Sequence, residues 1–214
     1  MPEPTEPHRR IFMTANTEEQ ELKDRISLIE SMIAEGRRKT ERWGWTFVLW
    51  GVAYYVAIFW ASLGHSNWAW PVTMITACAA TGVLSSIKSR NRPGTQTGNA
   101  IGSVWIAVGI SMFMLFMSLG MSGRMDQHIM MAGISAMLGT ANAASGLILK
   151  WKMQFACAVV WWAITVYACF GKGNALTIAF LAAIFFCQIV FGIYAMICDA
   201  RRRQQYGNQG AAHA

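Results

Sequence analysis

Hydrophobic residues lie along the chain in six long runs, and short polar segments separate the runs. Only eight charged residues occur between Trp43 and Cys198, and they cluster between the runs. Each run is about 20 residues long, the length that a helix needs to cross the hydrocarbon core of a membrane. Because backbone groups in lipid must satisfy one another within the segment, each run predicts a helix. The runs cover residues 43–64, 68–87, 100–121, 128–149, 153–171 and 174–198.

The residues before the first run follow a different pattern, in which charged positions surround one apolar stripe. Four aliphatic residues spaced by 4, 3 and 4 positions share one face of a helix. They are Leu22, Ile26, Ile29 and Ile33. Thr17 and Gln20 fit a capping box, which predicts that this amphipathic helix begins at Thr17.

The two patterns together predict an all-α integral membrane protein, a six transmembrane helix bundle preceded by a cytoplasmic amphipathic helix. The amphipathic helix covers residues 17–42 and the membrane domain covers residues 43–198. Residues 1–16 lack the apolar segment of a cleavable signal peptide, so the first span is predicted to act as an uncleaved signal anchor. Residues 1–16 and the basic residues 199–214 are predicted to be disordered tails.

The distribution of basic residues predicts the orientation of the bundle. The chain is 54% hydrophobic and 14% charged, with a net charge of +7, whereas about 25% charged residues is typical of soluble domains. Twelve Lys and Arg residues lie on one side of the predicted bundle, and only Arg124 and Lys172 lie on the other. Because cytoplasmic loops carry an excess of Lys and Arg, both termini are predicted to be cytoplasmic. Anionic lipid heads attract the basic residues, so the positive charge requires no nucleic-acid partner.

Small residues at four-residue spacing predict where helices pack closely, because small side chains let two backbones approach in lipid. Spans two, three and four show this spacing and are predicted to form the centre of the bundle. The small residues of spans two and three are Thr73, Ala77, Thr81, Ser85, Ser103, Ala107 and Ser111. The predicted packing residues of span four are Ser135, Gly139, Asn142, Ala143 and Gly146.

The span interiors contain no Asp, Glu, Lys, Arg or His, which argues against ion-coupled transport. The chain also lacks the usual catalytic motifs, so it is predicted not to be an enzyme. Asn142 and Gln188 are the most polar interior residues, and they are predicted to form hydrogen bonds between helices. The alternative is that they contact a neutral substrate. Trp161 and Trp162, near mid-span, are predicted to pack or to face lipid, with the lining of a cavity as the alternative.

A methionine-rich segment raises the question of a metal site, because thioethers and imidazoles select Cu(I). Residues Met112 to Met137 contain eight of the 14 methionines. A candidate copper site combines His65, Met121, Met125, Asp126 and His128. The alternative is that methionine fills irregular packing in the bundle and that the protein holds no cofactor. The five cysteines lie inside spans without a CxxC pair, so they are predicted to be reduced thiols.

The apolar stripe of the amphipathic helix needs a partner, and the surrounding charges constrain which one. Glu18 to Glu35 contains six acidic and two basic residues, and an anionic membrane surface attracts bases rather than acids. Membrane lipids are predicted to surround the spans. The stripe is predicted instead to contact a protein, through self-association or with another membrane or cytoplasmic protein. Packing on the chain's own inner loops and lying flat on the inner leaflet are the alternatives. Two heptads are too short to predict a coiled coil.

The stretch "RISLIESMIAEGRRKTERWGWTFVLWGV", followed by five more spans, resembles multi-pass bacterial inner-membrane proteins that have no assigned activity. The resemblance implies the same six-span plan in a bacterial inner membrane, and it assigns no functional residue. We therefore expect a non-enzymatic membrane protein that acts as a scaffold, sensor or regulatory partner through its amphipathic helix. The alternative is a small transporter or permease component for a neutral or lipophilic solute.

Overall fold

A computed structural model describes residues 6–64, 68–89, 96–124, 126–171 and 174–212. Within these ranges the fold is entirely helical, with eight α-helices and one π-helical segment. The helices are α1 (Glu6–Arg42), α2 (Gly44–Gly64), α3 (Ala69–Ser89), α4 (Gln96–Met121), α5 (Gln127–Ile148), α6 (Lys152–Phe170), α7 (Asn174–Ile184) and α8 (Phe191–Ala212). The π-helical segment (Phe185–Val190) joins α7 to α8 without a break.

Six helical stretches have the length and composition of membrane spans, as predicted from the apolar runs. The first five are α2 to α6. The sixth is the continuous stretch Asn174–Gln205, formed by α7, the π-helical segment and the first part of α8. Apolarity and length are local properties of the sequence, which explains why the predicted and observed bounds agree closely for the first five spans.

Two helix ends differ from the prediction. α1 begins at Glu6 rather than at Thr17, so the Thr17–Gln20 pattern lies inside a helix and does not start it. Pro7 falls in the first turn, where proline is tolerated because the missing N–H would have no helical partner. α8 continues to Ala212 through the segment that was predicted to be disordered. Within that segment, residues 200–205 are Ala, Arg and Gln, which are good helix formers.

The centre of the bundle is α5, and this corrects the prediction that spans two, three and four form it. In α5, 56% of the span is buried inside the protein, and in the sixth span 44%. In α3 and α4 the buried share is only 6% each. α5 packs along α6, α4 lies against α5, and the sixth span lies between α6 on one side and α2 on the other.

The predicted small residues of α4 (Ser103, Ala107 and Ser111) are exposed, whereas those of α3 lie on the face of α3 that packs on α2, with Ala77 only 5% exposed. A Cβ atom added at Gly82, Gly102 or Gly109 would meet nothing within 4 Å. The hydroxyls of Thr81 and Ser103 donate to carbonyl oxygens one turn earlier in their own helices. Small-residue spacing alone therefore does not distinguish a helix contact from a lipid-facing surface.

Aromatic side chains hold together the end of the bundle at which α1 joins α2, which we call the basal end. The Phe47 ring of α2 makes edge-on contacts with Trp105 of α4, at 5.4 Å between ring centres, and with Phe191 of α8, at 5.2 Å. Trp151, just before α6, contacts Phe191 at 5.1 Å. Trp105 also donates from Nε1 to Ser145 Oγ of α5, at 3.1 Å. Four spans are thereby fixed beside the base of α1.

Candidate functional site

The last part of α1, which we call the basal segment (Gly36–Arg42), lies directly against the basal end of the bundle. A Cβ atom added at Gly36 would lie 2.6 Å from the Thr97 side chain of α4 and 3.0 Å from Leu149, which follows α5. Lys39 donates from Nζ to Asn99 Oδ1 at 3.2 Å, and its side chain covers Gly98. The absence of side chains at Gly36 and Gly98 allows this close approach.

A buried carboxylate joins the basal segment to α8. Glu41 is 1% exposed, and its Oε1 accepts a hydrogen bond from Arg37 Nε and forms an ion pair with Arg202 Nη2, each at 3.3 Å. Arg37 also lies over the Trp151 ring, 5.1 Å from the ring centre, in a cation–π contact. Removing a carboxylate from water is costly unless opposite charges compensate, and the two guanidinium groups do so here. These contacts tie α1 to both α6 and α8.

Sequence reasoning did not single out Glu41. The basic residues around Glu41 predict the orientation of the bundle and contact with lipid heads. A single acidic residue within this basic run was the one clue to a different role. Its partner Arg202 lies far along the chain, so only the return of α8 to the basal end makes the pairing visible.

The preceding part of α1, which we call the distal arm (Glu19–Glu35), carries the predicted apolar stripe in the open. Leu22 is 59% exposed, Ile26 48% and Ile29 56%, while Ile33 is half-buried. The stripe therefore does not pack on the described loops of its own chain. Its charged neighbours pair along the helix, as Lys23 Nζ with Glu19 at 2.7 Å. Such exposed pairs support the helix by about 0.3–0.5 kcal/mol each.

The stripe is continuous with the face that α1 turns toward its own bundle. Gly36 and Thr40 extend the stripe beyond Ile33 by steps of three and four residues, which keeps them on the same face. Both are buried, and Gly36 lies against Thr97 and Leu149. The same helix face is thus covered by the bundle at one end and uncovered at the other.

The predicted packing residues of α5 are all buried, and the contacts that can be assigned to them involve α6. A Cβ atom added at Gly146 would lie 2.8 Å from the backbone nitrogen of Phe155. A Cβ atom at Gly139 would lie 2.5 Å from the Trp162 ring. Trp162 packs here and is also 40% exposed, whereas Trp161 is fully buried against Phe180.

A second group of functional candidates consists of uncharged polar side chains buried in the bundle. Asn142 donates from Nδ2 to the Leu138 carbonyl at 2.9 Å, but its Oδ1 has no partner within the described part of the chain. The same is true of both polar atoms of Gln154, of Ser135 Oγ and of Trp161 Nε1. An unpaired buried polar group costs about 1–3 kcal/mol, so these positions favour a bound polar molecule.

Two glutamines complete this polar group. Gln188, predicted from the sequence, is buried in the π-helical segment, and its Cβ lies 3.1 Å from a Cβ atom added at Gly51 of α2. Gln154 is also fully buried, and sequence reasoning missed it because it lies at the predicted edge of its span. Ala158 follows Gln154 by four residues and Trp161 follows Ala158 by three, so the three residues share one face of a helix. This spacing was the signal that Gln154 lies on the buried face.

The candidate copper residues are only partly described. Met121 is 86% exposed at the end of α4. Asp126 caps α5 by accepting from the Ile129 nitrogen at 2.7 Å, and His128 Nδ1 lies 3.1 Å from the Ala168 carbonyl. His65 and Met125 lie outside the described residues. Among those that are described, no three His, Cys, Asp or Glu side chains group as a metal site would require.

Comparison with known proteins found no family model that matches the chain, and no curated protein or solved structure with significant similarity to it. The function must therefore be argued from the geometry of the α1 arm, its base and the buried polar group.

Proposed function

We propose that this chain is a non-enzymatic membrane protein that acts as a scaffold, sensor or regulatory partner through the distal arm of α1. The observation that supports this most strongly is an apolar stripe left exposed on a helix whose base is fixed to the bundle. Covering an aliphatic side chain is worth about 1.5–3 kcal/mol. A helix that is already formed and anchored also loses less freedom on binding than a flexible segment does.

We further propose that the protein spans the bacterial inner membrane with both termini in the cytoplasm. The basic residues of the basal end support this orientation, because Lys and Arg accumulate on the cytoplasmic side of membrane proteins. Lys39, Lys150, Lys152 and Arg202 all lie at or near that end. Six spans also return the chain to the side from which it started, so the distal arm and α8 would face the same compartment.

The proposal is tested by changing the stripe without touching a span. Ile26→Ser with Ile29→Ser removes two exposed aliphatic side chains, and we expect loss of partner capture after mild crosslinking in cells. The matched control is Leu28→Ser, since Leu28 is 61% exposed but lies about 100° around the helix from Ile29. Equal capture by wild type, the stripe variant and the control would contradict the proposal. The melting temperature in detergent should be the same for all three proteins.

A second candidate function is passage of a small neutral polar solute, and the unpaired atoms of Asn142 and Gln154 favour it. Proteoliposomes should then release a neutral solute such as glycerol faster than protein-free liposomes. Gln154→Leu should abolish the difference while leaving the melting temperature unchanged or raised, because the glutamine has no protein partner to lose and its unpaired polar atoms are removed. A release rate equal to that of protein-free liposomes would rule out this function for that solute.

A further inference from the structure

The direction in which the stripe faces limits what can cover it. α1 contacts α8 through Glu41 and the starts of α4 and α6 through Gly36 and Arg37, so it runs across the basal end of the bundle. The residues from Glu19 to Ile33 then extend past these contacts by about 20 Å, at 1.5 Å per residue. The exposed stripe lies on the same helix face that, in the basal segment, rests on the basal end of the chain's own bundle. The stripe therefore faces the surface of a neighbouring molecule that lies beside the bundle.

Two simple occupants fit this geometry poorly. A parallel coiled coil between two arms would place the partner helix beside Gly36 and Thr40, where the chain's own bundle already lies. An anionic lipid surface fits the face but not the charge, because acidic residues border the stripe. Glu19, which pairs with Lys23, and Glu30 border one edge of the stripe, and Arg25 borders the other. The arm as a whole carries five acidic residues against two basic ones, so its net charge opposes an anionic surface.

The basal end itself has the complementary surface. Lys150 and Lys152, in the turn between α5 and α6, are exposed and form no ion pair with the described residues. Exposed apolar side chains adjoin them, with Leu147 66% and Met153 50% exposed. The turn thus combines positive charge with apolar surface, and the distal arm combines negative charge with an apolar stripe. Complementary potentials of this kind select a partner and fix its register.

We propose that the distal arm of one copy docks on the α5–α6 turn of a second copy in the same membrane. The inference rests on the proposed function, since it names the partner of the same stripe. The acidic edge of the arm, which carries Glu19 and Glu30, faces the basic turn with Lys150 and Lys152 of the second copy, and the stripe covers the apolar side chains beside that turn. The second copy returns the same contact with its own arm, so the pair is closed by a two-fold axis.

The test is charge reversal in the full-length protein, with two differently tagged copies expressed together. Glu19→Lys with Glu30→Lys should lower co-purification by about tenfold or more, because like charges then meet at the interface. Lys150→Glu with Lys152→Glu should have the same effect. The protein carrying all four changes should recover most of the association, because every pair is again of opposite sign.

The matched control changes the charge by the same amount on the opposite face of the arm. Asp24→Lys with Glu35→Lys should leave co-purification unchanged, since both residues are exposed and lie away from the stripe. Failure of wild-type copies to co-purify, or failure of the four changes together to restore association, would overturn the inference. If copies do not associate but Ile26→Ser with Ile29→Ser still abolishes capture of a different protein, the inference fails and the proposed function stands. If neither association nor capture depends on the stripe, both fail.

Discussion

The two parts of α1 differ in charge and in surroundings, since the basal segment has four basic residues and one acidic residue, and the distal arm has five acidic and two basic residues. In the basal segment, Glu41 is buried between Arg37 and Arg202, and Lys39 reaches Asn99 on another helix. In the distal arm, the ion pair of Glu19 with Lys23 stays within the helix and is exposed to solvent. The basal segment thus has contacts that hold the fold together. The distal arm has an apolar face and charges that the fold does not use.

This difference supports the proposal that the distal arm, rather than the base, contacts a partner. Residues whose contacts lie within the protein affect stability when they are changed, whereas residues on an unused exposed face affect association. The same contrast recurs inside the bundle, where Gly146 meets the backbone of α6 and Gly102 of α4 meets nothing within 4 Å.

The largest effect is expected at the buried carboxylate. Arg37→Met with Arg202→Met leaves Glu41 buried without a counter-charge and should lower the free energy of unfolding by about 3–5 kcal/mol. Adding Glu41→Met should restore stability to within about 1 kcal/mol of wild type, the difference being the cation–π contact with Trp151. Equilibrium unfolding in mixed micelles measures both values. A triple variant as unstable as the double variant would show that the carboxylate is not the cause.

A smaller effect is expected at the α5–α6 contact. Gly146→Leu places a side chain against the Phe155 backbone, which cannot move as a flexible side chain can, and should destabilise the protein by about 1–3 kcal/mol. The matched change, Gly102→Leu, faces open space and should leave the unfolding free energy unchanged or slightly raised, since leucine favours helix more than glycine does. Equal losses at the two positions would mean that α4 packs as closely as α5.

The smallest effect on stability is expected in the distal arm. Replacing Ile26 and Ile29 by Ser should change the free energy of unfolding by no more than about 0.5 kcal/mol, as is usual for exposed positions. Equilibrium unfolding in mixed micelles measures this change as well. A loss greater than about 1 kcal/mol would show that the stripe is part of the folded core, because exposed substitutions rarely cost so much.

The sequence predicted the six spans because apolarity and length are properties of each segment alone. It did not predict which spans form the centre, because lipid is as apolar as a protein interior and small residues occur on both kinds of surface. Gly139 and Gly109 look equivalent in the sequence, yet only Gly139 faces another helix. The start of α1 was also misplaced, since a Thr-x-x-Gln pattern occurs inside helices as well as at their ends.

The candidate site was likewise predicted only in part from the sequence. The stripe at Leu22, Ile26, Ile29 and Ile33 follows from helical periodicity, and three of its four residues are exposed. The buried pairing of Glu41 with Arg202 depends on where α8 returns, which periodicity does not encode. The buried side chain of Gln154 likewise depends on how α6 is rotated against its neighbours, so its importance appears only in the packed bundle.

The central claim is that the distal stripe contacts protein rather than lipid. A photo-crosslinking amino acid placed at Ile26 in the full-length protein, in living cells, reports directly on what lies against the stripe. We predict a protein adduct at Ile26, and no such adduct when the same group replaces Leu28. An adduct of Ile26 with lipid, and none with protein, would contradict the account.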